Sequence, residues 1–190
     1  MGAAPASYPA RARSGRFKAP VHASITGLML DHPDTHAALL PDQLASRTRD
    51  VWNTVLGLDL QPADAAAVAP AGGQRRWSGC IALSGNWRGA ITVSCLEPMA
   101  RMVSGAMFGI EPADASDAEI QDAIGEIANI LGGQTKQVLG DNCVLGLPVV
   151  IEGEHFETAV PHSHAVVKLT FRCEGHRVDV AVVGADARCR

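Results

Sequence analysis

Apolar residues recur along this chain at two different periods, and the switches between them mark out its elements. From Asp42, a suitable N-cap, to about Gly57, the apolar Leu44, Val51, Val55 and Leu56 give a first helix one core side. LDLQPADAAAVAP (58–70) reads as a short strand and a loop. In RRWSGCIALSGNWRGAITVSCL (75–96), two β-branched apolar runs flank Gly85-Asn86-Trp87-Arg88-Gly89, which predicts a β-hairpin. A short helix follows over Pro98–Phe108, with Pro98 near its first turn, and then a loop, EPADAS. Ser116-Asp117-Ala118-Glu119 has capping-box spacing and opens a long helix that runs to about Leu139 and ends at Gly140. DNCVLGLP reads as a connection. A second hairpin, AVVKLTFRC (165–173) and HRVDVAVVG (176–184), turns at Glu174-Gly175. Hairpins separated by helices predict an α+β domain, an antiparallel sheet with helices packed on one face.

The long helix has two distinct sides. At about 100° per residue, with Glu126 set to zero, Ile120, Ile124, Ile127, Leu131 and Val138 cluster as a buried stripe, flanked by Ala123 and Ile130. Asp122, Glu126, Asn129, Gly133 and Lys136 form an opposite stripe that should face solvent or a partner. Most polar helix faces are only solvated surfaces with side-chain pairing along the helix. Here the residue choice argues for more. Asn is a mediocre helix former, and Gly costs roughly 1 kcal/mol relative to Ala in a helix interior. Gly132-Gly133 admits two readings: a break in the helix, or backbone left bare so that another chain can approach closely.

Composition narrows the function classes. With 190 residues, the chain suits one sizeable domain. Its net charge is −4, but residues 1–30 carry Arg11, Arg13, Arg16 and Lys18 and no acid, so the remainder carries −8. Residues 1–40 therefore read as a flexible basic tail, and 41–190 as the folded domain. An acidic domain argues against nucleic acid as partner. No apolar run approaches the roughly 18 residues needed to span a bilayer, so no membrane role is expected. Cys80, Cys95, Cys143, Cys173 and Cys189 are odd in number and lack C-x-x-C spacing, which fits free thiols in a reducing cytoplasm.

Glu126-Ile127-Ala128-Asn129, then Gly133 and Lys136, within DAIGEIANILGGQTKQVLG and ahead of LGLPVVIEG, resembles the CheX/CheC/FliY chemotaxis phosphatases, and most of all the single-site CheX branch. The likeness spans roughly residues 42–184. It implies dephosphorylation of a CheY-type response-regulator receiver domain. Glu126 would dock on the receiver's active-site lysine, and Asn129 would orient the attacking water. Asp122, Gly133 and Lys136 would shape the partner-binding face. It also implies a homodimer and a cytoplasmic location. The chain itself would need no cofactor, the Mg²⁺ belonging to the receiver. The chemistry agrees: phosphoryl transfer is mostly positioning and charge stabilisation, and a neutral carboxamide can direct water without repelling a phosphoryl group. The alternative is a receiver-binding or scaffolding module that has the fold without turnover; such a module has no need of the carboxamide.

DVWNTVLG (50–57) aligns under EIANILGG (126–133), matching acid, Asn and Gly. Because the family is known for an internal pseudo-two-fold repeat, Asp50 and Asn53 read as a degenerate second site. Asp50 is shorter than Glu, no Lys follows, and bulky Trp52 adjoins Asn53. Two other clusters attract attention. His162-Ser163-His164 lies near Glu152, Glu154, His155 and Glu157, but a third metal ligand at fixed spacing is not evident, so no metal is expected. His32 and His36 have i,i+4 spacing that Pro33 spoils.

Overall fold

The computed structural model describes residues 40–65, 74–85, 87–139, 143–154 and 163–185, all within one unit, Asp34–Arg190. Residues 1–39 of the proposed tail, with His32 and His36, and also His155, Glu157, His162 and Cys189, lie outside the described residues; Leu40, the tail's last residue, opens the first helix.

The first helix, α1, spans Leu40–Val51, and a π-helical turn, Trp52–Leu56, extends it. Asp42 is therefore a first-turn residue rather than the expected N-cap, a place where a carboxylate still suits the positive end of a helix. The wide turn buries Trp52 (1% exposed) and Leu56, and Gly57 closes it in the left-handed conformation at φ 65°. The short strand β1 is Gln61–Pro62. Strands β2 (Arg76–Gly85) and β3 (Gly89–Leu96) form the first hairpin, paired Arg76 to Leu96 through Leu83 to Gly89. Helix α2 (Glu97–Phe108) starts with Pro98 in its first turn, where a missing N–H costs nothing, and stops at Gly109, φ 67°. A 3₁₀ turn at Pro112–Asp114 occupies the expected loop.

Helix α3 (Asp117–Leu139) runs unbroken through Gly132-Gly133, so the helix-break reading falls. The stretch expected as a connection is corrected as well. From Cys143 onward it is strand β4 (Cys143–Gly153), paired along β2 with a bulge opposite Ala82. Strands β5 (Ser163–Cys173) and β6 (His176–Ala185) make the second hairpin. Its turn residues, Glu174 (φ 47°) and Gly175 (φ 81°), both take positive φ, as a two-residue hairpin turn demands.

The six strands form one antiparallel sheet ordered β1-β5-β6-β3-β2-β4, with the three helices against one face. The buried face carries Trp77, Ile81, Ile91, Val93, Cys95, Phe171, Val178, Val180 and Val182, all essentially solvent-free, under Ile120, Ile124, Ile127 and Leu131 of α3. The order is a palindrome of helix, edge strand and hairpin. Each half sends its edge strand to the other half's hairpin: β1 pairs β5, and β4 pairs β2. This is the pseudo-two-fold repeat expected of the fold, with one edge strand of two residues and the other of eleven.

Candidate functional site

The site is built on α3, and two glycine contacts seat that helix hard on the sheet. A Cβ at Gly79 would lie 2.8 Å from the Ile124 carbonyl oxygen and 2.9 Å from the Ala128 Cβ. A Cβ at Gly132 would lie 2.6 Å from Ile81 Cγ2. Gly132 is buried, so its role is packing against the sheet rather than opening an exposed face.

The start of α3 is fixed twice. Ser116 and Glu119 form the expected capping box: the Ser116 N–H donates to Glu119 Oε2 at 2.8 Å, and the Glu119 N–H donates back to Ser116 Oγ at 3.3 Å. Hydrogen bonding by Ser116 holds the Glu119 carboxyl below its ordinary range. Arg75 then donates two bonds of 2.9 Å to the Asp117 carboxylate, bonds Glu152 on β4, and stacks over Trp77 with its Cζ 4.8 Å from the ring centre. The guanidinium holds the Asp117 carboxyl below its usual value. A single arginine thus joins the start of α3, the start of β2 and the end of β4. Further along α3, Arg47 of α1 donates to Gln134 Oε1 (2.6 Å) and Gln137 Oε1 (3.0 Å).

On that frame the polar stripe is presented outward. Asp122, Glu126 and Asn129 are exposed, and Gly133 and Lys136 half-exposed. Glu126 and Asn129 stand on neighbouring turns of one face, about 4.5 Å apart along the axis. Among the described residues, no side chain of Asp122, Glu126, Asn129 or Lys136 makes a hydrogen bond or ion pair. A Cβ added at Gly133 would meet nothing within 4 Å. The stripe is polar, unpaired and sterically open, held by a helix that cannot shift easily.

Sequence reasoning missed what lies beside it. A groove of about 430 Å³ runs along one flank of the stripe, between Gln121, Asp122, Gly125 and Glu126 of α3, Met107 and Phe108 at the end of α2, and Pro148 and Val150 of β4. Phe108 is 45% exposed, high for so large an apolar ring. The usable signal was an aromatic residue immediately before a helix-ending glycine.

The second copy presents differently. Asp50 and Asn53 are both exposed, but Asn53 lies in the π turn, whose wider winding rotates it from where an α turn would place it. Glu152 is bound to Arg75, and among the described residues no cluster of three His, Cys, Asp or Glu could hold a metal. Cys80, Cys95, Cys143 and Cys173 are free thiols, with burial pushing Cys95 up to about 12 and Cys173 up to about 11, far from thiolate formation at neutral pH. Among the described residues no helix is long and apolar enough to cross a membrane.

Residues 77–172 match the family model for the chemotaxis phosphatase CheX. The fold is similar to that of chemotaxis protein CheX from Vibrio vulnificus, at 22% identity and a TM-score of 0.64, covering 77% of this chain and 96% of that one. It is also similar to CheX from Desulfovibrio desulfuricans, at 23% identity and a TM-score of 0.61, covering 75% and 97%. A chain of the CheX–CheY–BeF3–Mg²⁺ complex from Borrelia burgdorferi is similar too, at 19% identity and a TM-score of 0.59, covering 76% and 97%. No curated protein matches the sequence.

Proposed function

The chain belongs to the chemotaxis phosphatase CheX family, and from that premise we propose that its α3 face hydrolyses the aspartyl phosphate of a CheY-type receiver domain. The observation that carries this reading is the pair Glu126 and Asn129, exposed and unpaired one turn apart on a helix locked to the sheet. Their free polar groups leave the face ready for groups supplied by a partner.

In this reading Glu126 docks on the receiver's lysine, and Asn129 enters the phosphoryl site. Its carboxamide oxygen accepts a hydrogen bond from water and directs a lone pair in line with the acyl phosphate. The water oxygen bonds to phosphorus, the P–O bond to the aspartyl carboxylate breaks, and inorganic phosphate leaves. The receiver supplies Mg²⁺ to neutralise the phosphoryl charge. Asp122 and Lys136 contact the partner, and Gly133 lets its backbone come close. The partner in the Borrelia burgdorferi complex, a CheY with BeF3 and Mg²⁺, supports a receiver as substrate. A cytoplasmic location follows from that substrate. The family resemblance also brings an expected homodimer, for which the outer side of β4, with Leu147 (85% exposed), Val149 and Ile151, is the natural seam.

The test is the decay of acyl phosphate on receivers from the same cell, with wild type and Asn129→Ala side by side. Wild type should accelerate decay, and Asn129→Ala should lose roughly a hundredfold or more in kcat with its fold unchanged. Glu126→Ala should weaken receiver binding as well as turnover. If wild type binds a receiver yet leaves its decay rate untouched, the chain is an adaptor with no turnover.

A further inference from the structure

The groove beside Glu126 is two-sided in its chemistry. Its α3 wall carries the unpaired carboxylates Asp122 and Glu126; its other wall is Met107, Phe108, Pro148 and Val150. Resting on the receiver reading above, we propose that this groove seats an apolar side chain of the receiver adjacent to its lysine, so that Phe108 helps determine which receiver is accepted.

Charge complementarity selects the occupant. Two free carboxylates along the rim favour a segment with a cation beside its apolar residue, and in the receiver reading that cation is the lysine that Glu126 meets. A second copy of this chain fits less well, because its residues beyond position 30 carry −8 and would meet acid with acid. A copy seated on β4 would also leave the groove free. Val149 and Ile151 pair opposite Cys80 and Ser78 on the sheet face away from the helices, whereas Pro148 and Val150 line the groove on the helix face. The groove is preformed as well. α3 is pinned at Gly79 and Gly132, and Arg75 ties α3 to β4, so little ordering cost falls on the encounter.

The experiment is a KM and kcat comparison on phosphorylated receivers from the same cell, with Phe108→Asp, Phe108→Leu, Gln121→Lys and Asn129→Ala. Circular dichroism checks each fold, and sedimentation the oligomeric state. Phe108 and Gln121 are exposed, so both sites tolerate change. Phe108→Asp should raise KM roughly tenfold with kcat retained, the loss expected for one buried apolar side chain. Phe108→Leu should recover most of it. Gln121→Lys, a cation at the acid rim, should raise KM independently. Asn129→Ala should instead lower kcat. If wild type turns over but Phe108→Asp and Gln121→Lys both keep KM within twofold, the groove is unused and the phosphatase reading survives. A Phe108→Asp protein that changes oligomeric state with KM intact assigns the groove to a second copy and overturns the proposal. If wild type neither binds nor dephosphorylates any receiver, both readings fall together.

Discussion

The two adjacent glycines of α3 should respond in opposite directions to the same methyl group. Gly133→Ala adds a Cβ into open space, since nothing lies within 4 Å. The helix then gains the intrinsic preference of Ala over Gly, about 0.8–1.0 kcal/mol. For a domain of this size that is a rise of about 2–4 °C in Tm. Gly132→Ala gains the same preference but sets its Cβ 2.6 Å from Ile81 Cγ2 and 3.2 Å from Leu145 Cδ2. Ile81 is fully buried and branched at Cβ, so Cγ2 cannot swing aside without turning the whole side chain. Overpacking of this kind costs about 1–3 kcal/mol, so after the helix gain the net effect should be a loss of up to about 2 kcal/mol. Thermal unfolding followed by circular dichroism reads both. Receiver dephosphorylation reads the second half of the argument. Gly133→Ala should turn over receiver about tenfold more slowly despite its higher Tm, because the methyl stands where the partner's backbone is to approach. Equal stabilisation of both variants would refute the seating of α3 on β2. A Gly133→Ala protein with full turnover would refute close approach at that position.

Two further perturbations test the frame and the other half of the molecule. Asp117 and Glu119 have folded-state values held below their ordinary 3.8 and 4.5 by Arg75 and Ser116, so their contribution is present above those values and lost as pH falls through the lower folded ones. Stability should therefore decline below about pH 4.5, and Asp117→Asn should flatten that acid limb; parallel curves for the two proteins between pH 7 and 3 would contradict the clasp. Asp50→Ala should leave turnover within about twofold of wild type and stability within about 0.5 kcal/mol, as for an exposed position. A large loss in the acyl-phosphate assay would show that the Asp50–Asn53 face of α1 is active.

Where local pattern and burial agree, the sequence was readable. Both hairpins, the capping box and the stripe of α3 follow from periods of two and 3.6 that the core enforces. β4 escaped because it is an edge. Val144, Leu147, Val149 and Ile151 are all exposed, so no alternation of buried and polar residues betrays a strand, and Pro148 resembles a breaker. Proline is tolerated on edge strands, where one N–H can be dispensed with. The roles of Gly132 and Gly133 were separable in principle. On the count that sets Glu126 at zero, Gly132 falls near about 240°, outside the polar stripe, while Gly133 falls within it. The π turn at Trp52, whose ring is buried, had no local signal. The groove needs α2, α3 and β4 together, three segments that only the tertiary fold assembles.

In the proposed reading, the unequal edge strands give a physical reason for one working face instead of two. α3 lies beside its own half's edge strand, which the other half's hairpin holds in place; α1 packs instead on β5 and α3, with its own half's edge strand at the far margin of the sheet. For α3 that strand is β4, eleven residues long, and it supplies Pro148 and Val150 as a wall next to Glu126. For α1 it is β1, two residues long among the described residues, whose Gln61 and Pro62 pair with Arg172 and Phe171 near the end of β5. The acid and amide spacing survives on α1, yet among the described residues β1 is only two residues long, and Asn53 lies in the π turn while Asp50 lies on the α-helix. A carboxamide can order water only if the phosphoryl group is delivered to it within hydrogen-bond reach. A surviving motif without its flanking wall is therefore insufficient, and restoring Glu at position 50 alone should not create a second active face.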